Sequence, residues 1–162
     1  MAVDPLLSRA TMEEELALMR DLAAQHRWGV VPCFTDLRLI VTMYSYTNEP
    51  YIVEATCDDY KEKPPLFEFI DPFTGERGTV KAYPASHDSF FHPSGPCICA
   101  PFNRKAYKEV VATGPHQDWN LGDWMSSKAN NFDWSNITIL GDMFGVIQTR
   151  LSRPDLYKGR MG

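Results

Sequence analysis

The chain has 162 residues, of which 44% are apolar and 23% charged, and its net charge is −5. Such a length suits a single domain, residues 1–162, with a sizeable core. The acidic balance argues against a nucleic-acid partner or an anionic membrane surface, since either calls for clustered Lys and Arg. No apolar run reaches membrane-spanning length, and the opening MAVDPLLSRATMEEE lacks a basic-then-apolar leader, so a cytoplasmic location is expected. In that compartment Cys33, Cys57, Cys97 and Cys99 read as thiols or ligands rather than as a disulfide framework.

In chain order, the first element is an amphipathic helix over 11–27. Ser8 or Thr11 offers a cap, Glu14 stands where a capping box needs it, and Leu16, Met19, Leu22 and Ala23 recur at helical spacing. Gly29 follows as its stop. A meander over 30–70 comes next, with strands Val30–Phe34, Leu37–Tyr46, Tyr51–Cys57 and Leu66–Ile70. These stretches are rich in β-branched and aromatic residues, and their short connections favour antiparallel pairing. The stretch 71–133 is rich in Gly and Pro and reads as loop, apart from a short helix over Arg104–Ala112. A last helix is expected over 134–152, with Ser135 as N-cap and Ile137, Leu140, Phe144, Ile147 and Leu151 on one face. Helix, meander, loop and helix together give an α+β layer arrangement.

The chemistry concentrates in Phe90–Arg104, FFHPSGPCICAPFNR. In an extended backbone Cys97 and Cys99 point to one side and Ile98 to the other. The loop therefore presents a nucleophile or a metal ligand close to His92. Cys33 and Cys57 lie in predicted strands and read as core residues. Trp119, Trp124 and Trp134 read as lid and core packing. Arg104 either caps the short helix or neutralises an incoming acidic tail.

Several motifs in order resemble the ubiquitin-conjugating enzyme superfamily over Thr11–Tyr157. Tyr60-Lys61-Glu62-Lys63-Pro64-Pro65 keeps the tyrosine and both prolines of the family's Tyr-Pro-x-x-Pro-Pro motif. His92-Pro93-Ser94, Gly95 and Ile98-Cys99-Ala100 follow in the order of its His-Pro-Asn, glycine and Ile-Cys-Leu pieces. Trp134-Ser135-Asn136 then stands for Trp-Ser-Pro, and Ser152-Arg153-Pro154-Asp155 closes the last helix. Ser94 replaces the motif asparagine, the path from His92 to Cys99 is short, and the segment between Cys99 and Trp134 is an insertion carrying His116. These departures resemble divergent bacterial members found with ubiquitin-like modifier systems, some of which look like Cys/Glu/His/His metal-binding proteins.

The resemblance implies a fold with an N-terminal helix, a four-stranded meander, a cysteine-bearing loop and a C-terminal helix. It also implies a transferase that takes a ubiquitin-like modifier from an activating enzyme as a thioester on Cys99 and passes it to a target. A deconjugating protease is a possible further partner. Such chemistry requires an accessible thiol that attacks as thiolate, and a donor that polarises the carbonyl. Cys97 is a substitute or resolving thiol, His92 a group that lowers the thiolate pKa, and Asn103 a stand-in for the missing amide. No cofactor is then needed. Two alternatives use the same scaffold. In one, zinc is bound by Cys99, His92 and His116, with Glu68 or Cys57 joining from the sheet; in the other, the domain is an inactive binding module.

Overall fold

The computed structural model describes residues 2–162 and is mixed α and β. Helices α1 (Pro5–Leu18) and α2 (Arg20–His26) lead into strands β1 (Gly29–Cys33), β2 (Arg38–Tyr44), β3 (Pro50–Thr56) and β4 (Leu66–Ile70). The four strands form one antiparallel sheet in sequential order. After them come the short strands β5 (Pro84–Ser86), β6 (Phe91–His92) and β7 (Cys97–Ile98), and then several 3-10 turns. Helix α3 (Leu140–Ser152) and strand β8 (Tyr157–Arg160) complete the chain, β8 pairing with β5.

Alternation builds the sheet. Leu39, Val41 and Met43 of β2, Tyr51, Val53 and Ala55 of β3, and Phe67 and Phe69 of β4 are all fully buried. They share one face because strand side chains alternate in direction. Against that face α3 lays Met143, Phe144, Ile147 and Leu151, and α1 adds Met12. Each such side chain contributes about 1.5–3 kcal/mol by leaving water. Phe144 is central, its ring 5.4 Å from Phe67 and 6.1 Å from Trp28. At the sheet's outer edge β1 is mostly exposed. On the opposite sheet face the buried Glu54 carboxylate is held between Arg38 and Arg77.

Three helix expectations need correction. The first helix begins at Pro5 rather than at residue 11, because Asp4 accepts from Leu6 N and Pro5 occupies the first turn, where a missing N–H costs nothing. Ser8 and Thr11 are then interior: the Ser8 hydroxyl donates to Tyr60 O, and that of Thr11 donates to Leu7 O. The helix is broken at Met19, and Arg27, in a left-handed conformation (φ 57), ends the second piece before Gly29 opens β1. The last helix starts at Leu140, preceded by a 3-10 turn over Trp134–Asn136 in which Asp133 caps Ser135. In place of a helix over Arg104–Ala112 there is one 3-10 turn, Arg104–Ala106.

Candidate active site

The cysteine segment is held to the sheet by polar side chains. Strand β7 pairs with β6, matching Phe91 with Ile98 and His92 with Cys97, and Cys99 N donates to Phe90 O at 2.6 Å. Asn103 clamps the far side. Its Nδ2 donates to Ile98 O at 2.8 Å, while its Oδ1 accepts from Phe67 N at 2.9 Å and Lys105 N at 3.1 Å. The residue is fully buried, and those bonds fix the strand before Cys99 to β4. In this geometry Asn103 is a positioning residue rather than a donor to an acyl oxygen. Arg104 likewise serves the fold, donating from Nε to Pro64 O and from its terminal nitrogens to Asp58.

Cys99 meets His116. The Sγ–Nε2 distance is 2.7 Å, and His116 Nδ1 lies 3.3 Å from Asp118 Oδ1. With the Nδ1 proton directed at Asp118, Nε2 is the acceptor for the thiol proton. Trp119 lies flat under the imidazole, ring centroids 3.5 Å apart and planes within 6°. The backbone holds the same residue: His116 N donates to Ala106 O, and Lys108 N donates to His116 O. Gly114 permits that closeness, since a Cβ there would stand 2.7 Å from Tyr107 C and O.

Burial pushes the Cys99 thiol up to about 12, with smaller contributions from Cys97 and Asp118. At neutral pH the sulfur therefore rests protonated, and His116 is placed to take its proton as attack proceeds. Cys97 is also buried and is pushed up to about 11 by desolvation, against an opposing pull from Lys105. Among the described residues it has no hydrogen-bonded base. Geometry thus separates the two thiols and favours Cys99 as nucleophile. Next after it, the fully buried Ala100 makes no backbone N–H hydrogen bond among the described residues.

The residues considered for zinc are only partly brought together. Glu68 Oε1 is engaged by Lys105 Nζ at 2.9 Å, and His92 Nδ1 by Ser94 O at 2.7 Å. Among the described residues no group of three or more His, Cys, Asp or Glu side chains is arranged to hold a metal ion. Cys99 and His116 stand 2.7 Å apart as a hydrogen-bonded pair. His92 ends β6 and bonds into its own hairpin turn, and Cys57 lies in the core, its thiol pushed up to about 12 by desolvation. Cys33, expected in the core, is exposed beside Asp36 because its edge strand has no covering layer.

Asp118 is the neighbour that motif reading did not single out, and Trp119, expected as lid or core packing, stacks on His116. The only signal was local, a carboxylate two residues and an indole three residues after His116. Comparison of the chain with family models, curated proteins and solved structures gives no match. No helix is long and apolar enough to cross a membrane, among the described residues.

Proposed function

We propose that the protein is a cytoplasmic, ubiquitin-conjugating-enzyme-like transferase that carries the C-terminal acyl group of a ubiquitin-like modifier on Cys99. The observation that carries this reading is the 2.7 Å contact between Cys99 Sγ and His116 Nε2. It is supported by the order of the Tyr60–Pro65, His92–Gly95, Ile98–Cys99 and Trp134–Ser135 motifs and by the four-stranded meander that holds the first of them between its third and fourth strands. The activating enzyme would supply the modifier as a thioester. The Cys99 proton passes to His116 Nε2, sulfur bonds to the thioester carbonyl carbon, and the donor's thiolate leaves with that proton. An acceptor amine then attacks the new thioester, gives a proton to the departing Cys99 sulfur through His116, and carries the acyl group away as an amide.

The His116–Asp118 contact would serve equally a second reading, in which the acceptor is water and the site is a thiol hydrolase. The acid–base groups are the same, so only the fate of the thioester separates the two. The test uses acetyl-Gly-Gly mercaptoethanesulfonate thioester and intact-mass measurement. The expected product is one hydroxylamine-labile acetyl-Gly-Gly group per chain, retained in Cys97→Ala, lost in Cys99→Ala and unaffected by a zinc chelator. An adduct that survives Cys99→Ala would refute the assignment. Faster discharge by added lysine than by buffer supports transfer, and equal discharge supports hydrolysis.

A further inference from the structure

Two cavities flank the Cys99–His116 pair. One, of about 240 Å³, is bounded by Cys99 together with Val146 and Arg150 of α3. The other, of about 430 Å³, is bounded by His116, Trp119, Lys108 and Glu109. Trp119 is the group in this wall that the chemistry above leaves without a role. Its indole rests on Tyr107, whose ring meets it edge-on at 5.7 Å and 69°. Tyr107 is buried, and its hydroxyl donates to Pro101 O at 2.8 Å. The support of the indole is thereby fastened to the turn that follows Cys99.

The stack of Trp119 on His116 is an unfavourable one for two neutral rings. Aromatic pairs prefer offset or edge-on arrangements, because a direct sandwich sets one negative π face against another. Here the centroids are 3.5 Å apart and the planes within 6° of parallel, which leaves almost no lateral offset. The sign reverses once the imidazole is protonated, since an indole face attracts a cation above it. That is the state His116 enters when it takes the Cys99 proton. An interaction that strengthens as the proton arrives favours the reacting state over the resting one, which is the condition for accelerating a step. The other groups around the ring are Cys99 at Nε2, with Cys97 near that sulfur, and Asp118 at Nδ1. Lys108 and Glu109 face it from the turn after Tyr107. Asp118, Lys108 and Glu109 are all exposed, and salt screens their charges. The indole is half-buried and touches the ring directly.

We propose that Trp119 is a positioning residue for acyl transfer, its indole face stabilising His116 as the imidazolium formed when the Cys99 proton moves to Nε2. The S–H bond breaks, the Nε2–H bond forms, and the electron pair left on sulfur attacks the acyl carbon. This inference rests on acyl transfer at Cys99.

Two probes test it on the full chain, iodoacetamide and acetyl-Gly-Gly mercaptoethanesulfonate thioester. Modification of Cys99 by each is followed by peptide mass from about pH 5 to 9, the range in which histidine changes charge. In Trp119→Leu both rates should fall about two- to thirtyfold at neutral pH, the worth of a cation over an aromatic face. The acid limb of each profile should also move to lower pH, because the base is harder to protonate without the indole. Trp119→Phe, which keeps a π face, should restore most of both effects. A merely structural role would slow the reactions at every pH and leave the limb in place, and that result overturns the proposal. So does a Trp119→Leu profile that matches the unmodified chain. If Trp119→Leu does not fold, the chain made with fluorotryptophan at its four Trp positions takes its place. Fluorine keeps the shape of the indole and weakens its negative face, so the limb should move the same way by less, and an unmoved limb refutes the assignment. Alkylation reports on the stack whether or not an acyl group is transferred. An unmoved alkylation limb in a chain that does acylate overturns the role of Trp119 and leaves acyl transfer standing. A chain that alkylates but never acylates removes the transfer reading, and this role with it.

Discussion

The four-stranded sheet and the cysteine region are stabilised by different means. From Gly29 to Ile70 the chain keeps an uninterrupted antiparallel register, and its buried positions are nearly all apolar. From Asp71 to Ile139 the regular elements are strands of two or three residues and 3-10 turns, tied down by single polar side chains such as Asn103 and Arg104. A repeating pattern distributes its stability over many similar contacts, whereas the cysteine region depends on a few groups with no substitutes. Damage to the sheet should therefore appear as lost stability, and damage to the site as lost chemistry or local loosening.

The largest effect should come from His116→Ala. Loss of a positioned base costs about 10²–10⁴ in rate, and the acylation rate of Cys99 should fall by that much with little change in the urea midpoint. A fall of less than tenfold would mean that the 2.7 Å contact is not catalytic. On the sheet side, Leu39→Ala removes a fully buried side chain from β2 and should cost about 2–5 kcal/mol of unfolding free energy. Asn103→Ala strands Ile98 O, Phe67 N and Lys105 N, for about 2–4 kcal/mol. It should also speed hydrogen exchange around Cys97–Phe102, which Leu39→Ala should not do selectively. Equal exchange patterns in the two variants would erase the distinction between the regions.

Alkaline pH probes both regions together. Burial raises Cys57 to about 12, Cys97 to about 11 and Cys99 to about 12, from an ordinary value of 9.0. The unfolded chain loses these protons first, so the stability they provide is fully present below about pH 9 and is lost as pH rises through 11 and 12. The urea midpoint should decline above pH 9, and Cys57→Ala should reduce the slope. A flat midpoint from pH 8 to 10.5 would show that the thiols are less enclosed than their surroundings indicate. The smallest effect belongs to Asp118→Asn. That carboxylate is largely exposed and 3.3 Å from His116, so acylation should slow less than tenfold, where a buried partner would cost far more.

The sheet was the legible part. Alternation in Leu37–Tyr46 and Tyr51–Cys57 located β2 and β3 within two residues, and Leu66–Ile70 needed no adjustment. These signals are local and repeat along the chain. Helix starts were less legible because the competing caps were close together, and Asp4 with Pro5 prevailed over Thr11 with Glu14. Of the candidate site, the cysteine loop and a histidine between it and Trp134 were legible. Its arrangement was not. His116 reaches Cys99 through a turn at Gly114 and a bridge to Tyr107, neither of which has a periodic trace. Asn103 reads as an ordinary loop residue until β4 lies beside it, and Arg150 as one more solvent-facing helix position until Phe90 lies under it.

Glu15 links the two ends of the fold. Its buried carboxylate accepts from Leu140 N at 2.7 Å, from Tyr60 OH at 2.7 Å and from Lys61 Nζ at 3.0 Å. Helix α3 has no side-chain cap of its own at Ile139, so the acceptor for its first turn comes from a residue 125 positions earlier. During synthesis α1 must keep that carboxylate available until α3 has left the ribosome. Contacts so distant in sequence form slowly because loop closure precedes any gain. The helix that carries Val146 and Arg150 therefore depends on a contact distant in sequence, and the cavity beside Cys99 closes only once that helix has docked.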